Sequence, residues 1–178
     1  MKLVILDRDG VINHDSDEYI KSPDEWVPVP GSIEAIARLN HAGYTVTVAT
    51  NQSGIARGYF DISTLNAMHE KMHLLVNQAG GHVDGIFFCP HSPADNCNCR
   101  KPLPGLLLQI ARRFSTSLEN VAFIGDSHSD IEAARLAGAI PILVRTGKGT
   151  ITEKKLAESS TIPVFDDLSQ AVSSILID

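Results

Sequence analysis

Basic residues are in short supply. The 178-residue chain sets 15 lysines and arginines against 21 aspartates and glutamates, a formal net charge of −6. A nucleic-acid partner ordinarily needs a basic face, so this balance argues against one. Long apolar runs are missing too. None approaches the roughly 20 residues of a membrane-spanning helix, although 43% of the residues are hydrophobic, enough for a sizeable core. The N-terminus shows no signal-peptide pattern, because Lys2 leads into only four apolar residues before Asp7. A cytoplasmic protein is expected, with no membrane or nucleic-acid partner. Cysteine is scarce: Cys89, Cys97 and Cys99 are the only three. An odd number crowded into one loop of a cytoplasmic protein points to a metal rather than a disulfide. Repeats, low-complexity tracts and linkers are absent. The proline-rich stretch "SPDEWVPVPG" (22–31) reads as a loop, and residues 1–178 as one domain.

What is present is an alternation of apolar strands and amphipathic helices. "KLVIL" (2–6), 44–50, 85–89, 121–125 and 141–145 read as strands. Residues 32–43, 62–80, 104–114, 129–138 and 167–176 read as helices, several of them closing on glycine. Continuous apolar strands imply a sheet covered on both faces. Strict alternation with helices implies a doubly wound, Rossmann-like parallel α/β fold.

Ligands of such sheets bind at the carboxyl ends of the strands, and polar residues collect there. "LDRDG" ends the first strand with Asp7 and Asp9, two like charges one residue apart. A turn would account for them. So would a divalent cation, which takes oxygen ligands and offsets their repulsion. "TNQSG" (50–54) follows the second strand with hydroxyl and amide donors suited to a phosphate. "RKP" (100–102) places two cations before a helix. "GDSHSD" (125–130) brings Asp126 to the end of the fourth strand, with Asp130 able to cap the next helix. His69 and His73, four apart on one helix, read as a solvated face.

These four pieces, in this order, resemble the motifs of the haloacid dehalogenase superfamily of phosphotransferases. The resemblance implies Asp7 as nucleophile and Asp9 as proton donor and acceptor, with Thr50 and Lys101 completing the catalytic set. It implies Mg²⁺ among Asp7, Asp9 and Asp126, with Asp130 in support. About 40 residues separate the first two motifs and about 50 separate Thr50 from Lys101, leaving no room for a cap domain. Asn51, Gln52, Ser53, Arg57 and Arg100 are then candidate substrate contacts. Arg100 is the best placed for a second anion, since a guanidinium binds one bidentately.

Cys89, His91, Cys97 and Cys99 supply the three-thiolate, one-imidazole ligand set of a closed structural zinc site. A zinc-stabilised loop there would present Arg100 and Lys101. The same loop marks a capless subgroup whose members include phosphatases of a heptose bisphosphate and of histidinol phosphate. The implied partner is therefore a small sugar phosphate, with histidinol phosphate the alternative, and a monomer is expected. One departure stands out: many of the sugar-bisphosphate members carry lysine after the fourth-motif aspartate, where this chain has Ser127. A zinc-stabilised interaction module with a vestigial site is a further reading, against which the intact Asp7, Asp9, Thr50, Lys101 and Asp126 set speaks.

Overall fold

Successive residues of a strand point to opposite faces, and in the first strand both faces are buried. Val4 and Leu6 enter one apolar cluster, and Leu3 and Ile5 enter another. The computed structural model, which describes residues 1–177, accordingly places this strand inside a sheet. The strands are β1 (Lys2–Leu6), β2 (Tyr44–Asn51), β3 (Gly85–Cys89), β4 (Ala122–Gly125), β5 (Ile140–Val144) and β6 (Val164–Phe165). They form one six-stranded sheet in the order β3-β2-β1-β4-β5-β6, and every pairing is parallel.

Six helices cover it: α1 (Ser32–His41), α2 (Ile62–Gln78), α3 (Gly105–Arg113), α4 (His128–Ala137), α5 (Gly149–Lys154) and α6 (Leu168–Ile177). Ile36, Leu39, Met68, Met72, Leu168 and Val172 of α1, α2 and α6 pack over Val4 and Leu6. Leu106 and Ile110 of α3, with Ala133 and Ala134 of α4, pack over Leu3 and Ile5. Among the described residues no helix is long and apolar enough to cross a membrane.

The expected strands and helices are all found, with ends shifted by a residue or two. The sequence reading missed α5 and β6. β6 is two half-buried residues, too short to show a period. α5 buries only Gly149 and Thr152 and leaves Ile151 exposed, so its sequence carries no apolar stripe.

The chain runs from β1 outward through β2 and β3, then crosses back to β4 and continues to β6 on the other side. The crossover sets a switch point between β1 and β4, where a crevice opens at the carboxyl ends of the strands. The ladder continues one step past β1, with Asp7 N donating to Ile124 O at 2.9 Å. The loop 7–31 then folds over the crevice. It is anchored by Val11, Ile12 and Trp26, all fully buried, and tied to α1 by Ser32 Oγ donating to Ile12 O at 2.6 Å. Among the described residues no further folded unit is inserted after β1 or β2, so loops wall the crevice. Trp26→Ala should cost about 3–5 kcal/mol, read as a lowered denaturation midpoint; a change below 1 kcal/mol would mean that the loop has another anchor.

Candidate active site

The crevice holds a cavity of about 290 Å³. It is lined by every residue proposed from the sequence for catalysis, magnesium or substrate: Asp7, Asp9, Thr50, Asn51, Gln52, Ser53, Arg57, Arg100, Lys101, Asp126 and Asp130. The zinc-loop residues lie apart from it.

At its floor one cation faces several anions. Lys101 is 3% exposed, and its Nζ donates to Asp7 Oδ1 at 2.9 Å, to Asp130 Oδ1 at 2.7 Å and to Ala49 O at 2.9 Å. Burial alone would strip its proton, but Asp130 and Asp7 outweigh that and hold the ammonium firmly charged. Its backbone is clamped in turn. Asn51 Nδ2 donates to Lys101 O, and Lys101 N donates to Asn51 Oδ1, each at 3.0 Å. The Asn51 amide is therefore spent on setting the lysine.

Asp130 is committed as well. Besides Lys101 it accepts hydrogen bonds from Asp126 N, Ser127 N and Ser127 Oγ, closing a capping box at the start of α4. The other two carboxylates keep a free oxygen. Among the described residues, Asp7 Oδ1 meets Lys101 and Arg8 N and Asp126 Oδ2 meets Lys148 N, while no hydrogen bond reaches Asp7 Oδ2 or Asp126 Oδ1. Ligand atoms of Asp7, Asp126 and Asp130 lie within 4.8 Å of one another. Burial first, then the neighbouring carboxylates, raise the Asp7 carboxyl well above its ordinary value. Burial and Asp130 push Asp126 up to about 7. A pocket of hard oxygen donors with this much uncompensated negative charge fits a divalent cation such as Mg²⁺.

Asp126 sits between two backbones with no side chain. Gly10 and Gly147 have φ of +85° and +57°, and a methyl group on either would collide with Asp126 Oδ2.

Asp9 points elsewhere. Its Oδ1 accepts from Arg8 Nε (3.0 Å), Arg8 Nη2 (2.7 Å) and Asn13 Nδ2 (2.9 Å), and its Oδ2 from Gln52 Nε2 (3.0 Å). Burial would raise the Asp9 carboxyl, but the Arg8 charge and these hydrogen bonds prevail and hold it below the usual carboxylate range. Two neighbouring carboxyls thus have their proton affinities driven apart by their surroundings, Asp7 upward and Asp9 downward.

Beside the crevice, the sulfurs of Cys89, Cys97 and Cys99 and Nδ1 of His91 converge. Cys89 Sγ lies 3.5 Å from His91 Nδ1 and 3.7 Å from Cys97 Sγ, and Cys99 Sγ lies 3.4 Å from His91 Nδ1. A tetrahedral zinc with Zn–S of about 2.3 Å and Zn–N of about 2.0 Å has edges of about 3.8 and 3.5 Å, so the four donors fit that ion. Burial would raise the Cys97 thiol, yet main-chain N–H groups of Arg100 and Cys99 aimed at its sulfur bring it down to about 6. The loop is wired to the crevice by Gln52 N donating to Cys89 O at 2.8 Å.

Comparison with known proteins matches this architecture. A HAD-hydrolase-like family model covers residues 98–171. A D-glycero-β-D-manno-heptose-1,7-bisphosphate 7-phosphatase of Pseudomonas putida is 55% identical over 176 residues, 99% of this chain and 100% of the relative. One of Neisseria meningitidis serogroup A is 58% identical over 170 residues, 94% of this chain and 91% of the relative. The chain belongs to the heptose-1,7-bisphosphate 7-phosphatase family. The family is one of phosphoric monoester hydrolases within the haloacid dehalogenase superfamily. A solved D,D-heptose 1,7-bisphosphate phosphatase from B. bronchiseptica, complexed with magnesium and phosphate, superposes with a TM-score of 0.97 at 54% identity, covering 99% of both chains.

For a member of this family, several groups at the site carried no signal in the sequence. Arg8, fully buried between the two aspartates, looks like an ordinary surface arginine until Asp9 and the protein interior surround it. Asp15 and Tyr19 line the cavity. Of the two cations that "VRTGKG" (144–149) brings near the sheet end, both legible in the sequence, Lys148 lines it as well. Arg57 lies over the Tyr19 ring, 5.8 Å from its centroid, and Tyr19 packs on Tyr59 with centroids 5.1 Å apart, joining two loops at the rim. Arg145 does not reach the cavity, being paired with Glu153 and Asp166.

The expected solvated face at His69 and His73 is corrected. His69 is 6% exposed. "HEKMH" (69–73) even has the H-E-x-x-H spacing of zinc peptidases. However, Arg8 Nη1 lies 3.2 Å from His69 Nε2 and takes that nitrogen's lone pair, and these residues form no ligand cluster among those described. Burial, then the Arg8 charge, lowers the ring to about 3 and keeps it neutral.

With burial and Asp130 pushing Asp126 up to about 7, a magnesium ion entering the carboxylate pocket would have to compete with protons for it. The rise in melting temperature on adding Mg²⁺ should be large at pH 8 and shrink toward zero at pH 5.5; an equal rise at both would contradict this electrostatic picture.

Proposed function

We propose that the chain is a Mg²⁺-dependent phosphatase that removes the C7 phosphate of D-glycero-β-D-manno-heptose 1,7-bisphosphate through an aspartyl-phosphate, leaving heptose 1-phosphate. The observation that carries this reading is Asp7: a buried carboxylate with one oxygen anchored by Lys101 and the other free, facing a cavity rich in phosphate-binding groups. The near-identical fold of the magnesium- and phosphate-bound relative supports it.

In this reading Asp7 Oδ2 attacks phosphorus and the bond to the C7 oxygen breaks. Phosphoryl transfer depends mainly on positioning and on offsetting charge, and the chain supplies both. Lys101 neutralises Asp7, while Thr50 Oγ1 and the main-chain N–H groups of Asn51 and Ser53 hold the phosphoryl oxygens. The incoming dianion adds negative charge beside Asp9 and raises its proton affinity. Asp9 then protonates the leaving alkoxide and, as the carboxylate, takes a proton from the water that hydrolyses the aspartyl-phosphate. Asp7, Asp126 and the main-chain carbonyl of Asp9 would hold Mg²⁺, which when bound offsets the repulsion between carboxylate and phosphate. Asp130 fixes Lys101 and the start of α4.

The sugar extends to the rim, where Gln52, Ser53, Arg57 and Arg100 face it. Ser127, found where related enzymes carry lysine, caps α4 through its hydroxyl. Arg100 and the rim residue Lys148 then supply positive charge for the distal phosphate. Cys89, His91, Cys97 and Cys99 would hold a structural Zn²⁺ that fixes the segment presenting Arg100 and Lys101. The enzyme would work in the cytoplasm as a monomer.

Phosphate release from heptose bisphosphate, histidinol phosphate and an aryl phosphate, with and without Mg²⁺, tests the substrate. Preference for histidinol phosphate would overturn it. Asp7→Asn should lower kcat on the order of 10³-fold or more, and near-wild-type turnover would exclude Asp7 as nucleophile. Cys97→Ser should lose zinc by elemental analysis and raise KM. Protein purified without chelator that contains no zinc would remove the structural-metal assignment.

A further inference from the structure

We propose that His69 is a positioning residue for the reaction, acting through Arg8 to fix the carboxylate of Asp9; this rests on the reading of Asp9 as the proton donor. A guanidinium has only donors, and a fully buried one must have them satisfied. Arg8 spends Nε and Nη2 on a single oxygen, Asp9 Oδ1. Two bonds converging on one atom leave the guanidinium plane free to rock about that atom. The third contact, from Nη1 to His69 Nε2 at 3.2 Å, comes from the far side and removes that freedom. A neutral imidazole offers one lone pair, and here Arg8 receives it.

The placement of His69 supports the same reading. The buried face of α2 is Leu65, Met68, Met72 and Val76, with His69 its one polar member. A polar ring in an apolar face costs stability unless it is partnered, and Arg8 is its partner. His69 lines a separate cavity of about 340 Å³ with His73 and Phe88, not the catalytic one. It therefore touches neither substrate nor reacting atoms. The chain of contacts runs from α2 through Arg8 to Asp9 Oδ1. Gln52 bridges Asp9 Oδ2 to Thr50 Oγ1, with 3.0 Å to each. The carboxylate is thereby held between a fixed fork and the phosphate-binding strand end.

Leaving-group dependence tests the proposal. A sugar alkoxide needs a proton in order to leave and p-nitrophenolate does not, and kcat/KM reports the steps through leaving-group departure. His69→Leu keeps the volume and removes the acceptor. It should lower kcat/KM on the sugar phosphate about 10- to 100-fold, with KM changed by less than about 3-fold and p-nitrophenyl phosphate affected by less than about 3-fold. His69→Gln, whose amide oxygen can reach Arg8, should restore most of the loss; His69→Asn, too short to reach, should not. That pair carries the comparison if the leucine variant does not fold. Asp9→Asn, assayed alongside, should show the same substrate discrimination more strongly. If Asp9→Asn discriminates but the His69 variants lower both substrates alike, or glutamine restores nothing, the positioning role is overturned. If Asp9→Asn itself shows no discrimination, the reading of Asp9 as acid falls and takes this proposal with it.

Discussion

A single buried ammonium keeps the heart of this molecule together. Lys101 stands between Asp7 from β1 and Asp130 from α4, on opposite sides of the switch point, and donates a third bond to the backbone of β2. Removing one partner of a buried ion pair leaves the other uncompensated, which costs more than the pair ever gained. The three elements present two carboxylates and a carbonyl that would not attract one another, and the Lys101 ammonium is what draws them together. Even so, one cation does not balance the acids around it: burial first, and then the neighbouring carboxylates, raise the proton affinities of Asp7 and Asp126. A site short of positive charge is ready to recruit it.

Much of this was legible in the chain. Strand-end aspartates, the threonine-bearing turn and the Cys/His loop announce themselves because chemistry dictates their residue types and the sheet dictates their order. The apolar runs gave the strands because burial on both faces leaves no polar interruption. What could not be read was connectivity across the interior. Nothing in "LDRDG" says that Arg8 turns inward to grip Asp9, because an arginine beside two aspartates reads as a local charge pair. Nothing in "HEKMH" separates a metal motif, a wet helix face and a buried acceptor, since all three share one spacing. Only the burial of this face of α2 against Arg8 decides among them. In the same way Asn51, expected to touch substrate, lends its amide to the backbone of Lys101, a pairing between residues 50 positions apart.

The two acids of the opening motif show how neighbours one residue apart acquire opposite characters. Asp7 lies among carboxylates and is starved of compensation. Asp9 lies in a nest of donors and is oversupplied. A regular strand would leave residues i and i+2 on one face; here the chain leaves β1 after Leu6, and the contacts beyond the strand end sort the two, Lys101 taking Asp7 while Arg8, Asn13 and Gln52 take Asp9. Arg8, between them, lends its main-chain N–H to the first and its guanidinium to the second.

Among the described residues no separate domain covers the crevice, and loops held by Trp26, by the Tyr19–Tyr59 stack and by the cysteine cluster form its rim. The reacting groups hang from the sheet, while whatever lies beyond the phosphate meets only these loops. Selection can therefore rewrite the guest list of such an enzyme by editing a few rim positions, without disturbing the engine beneath. Diversification toward new metabolites would then proceed through small changes at the doorway rather than through acquisition of a new domain.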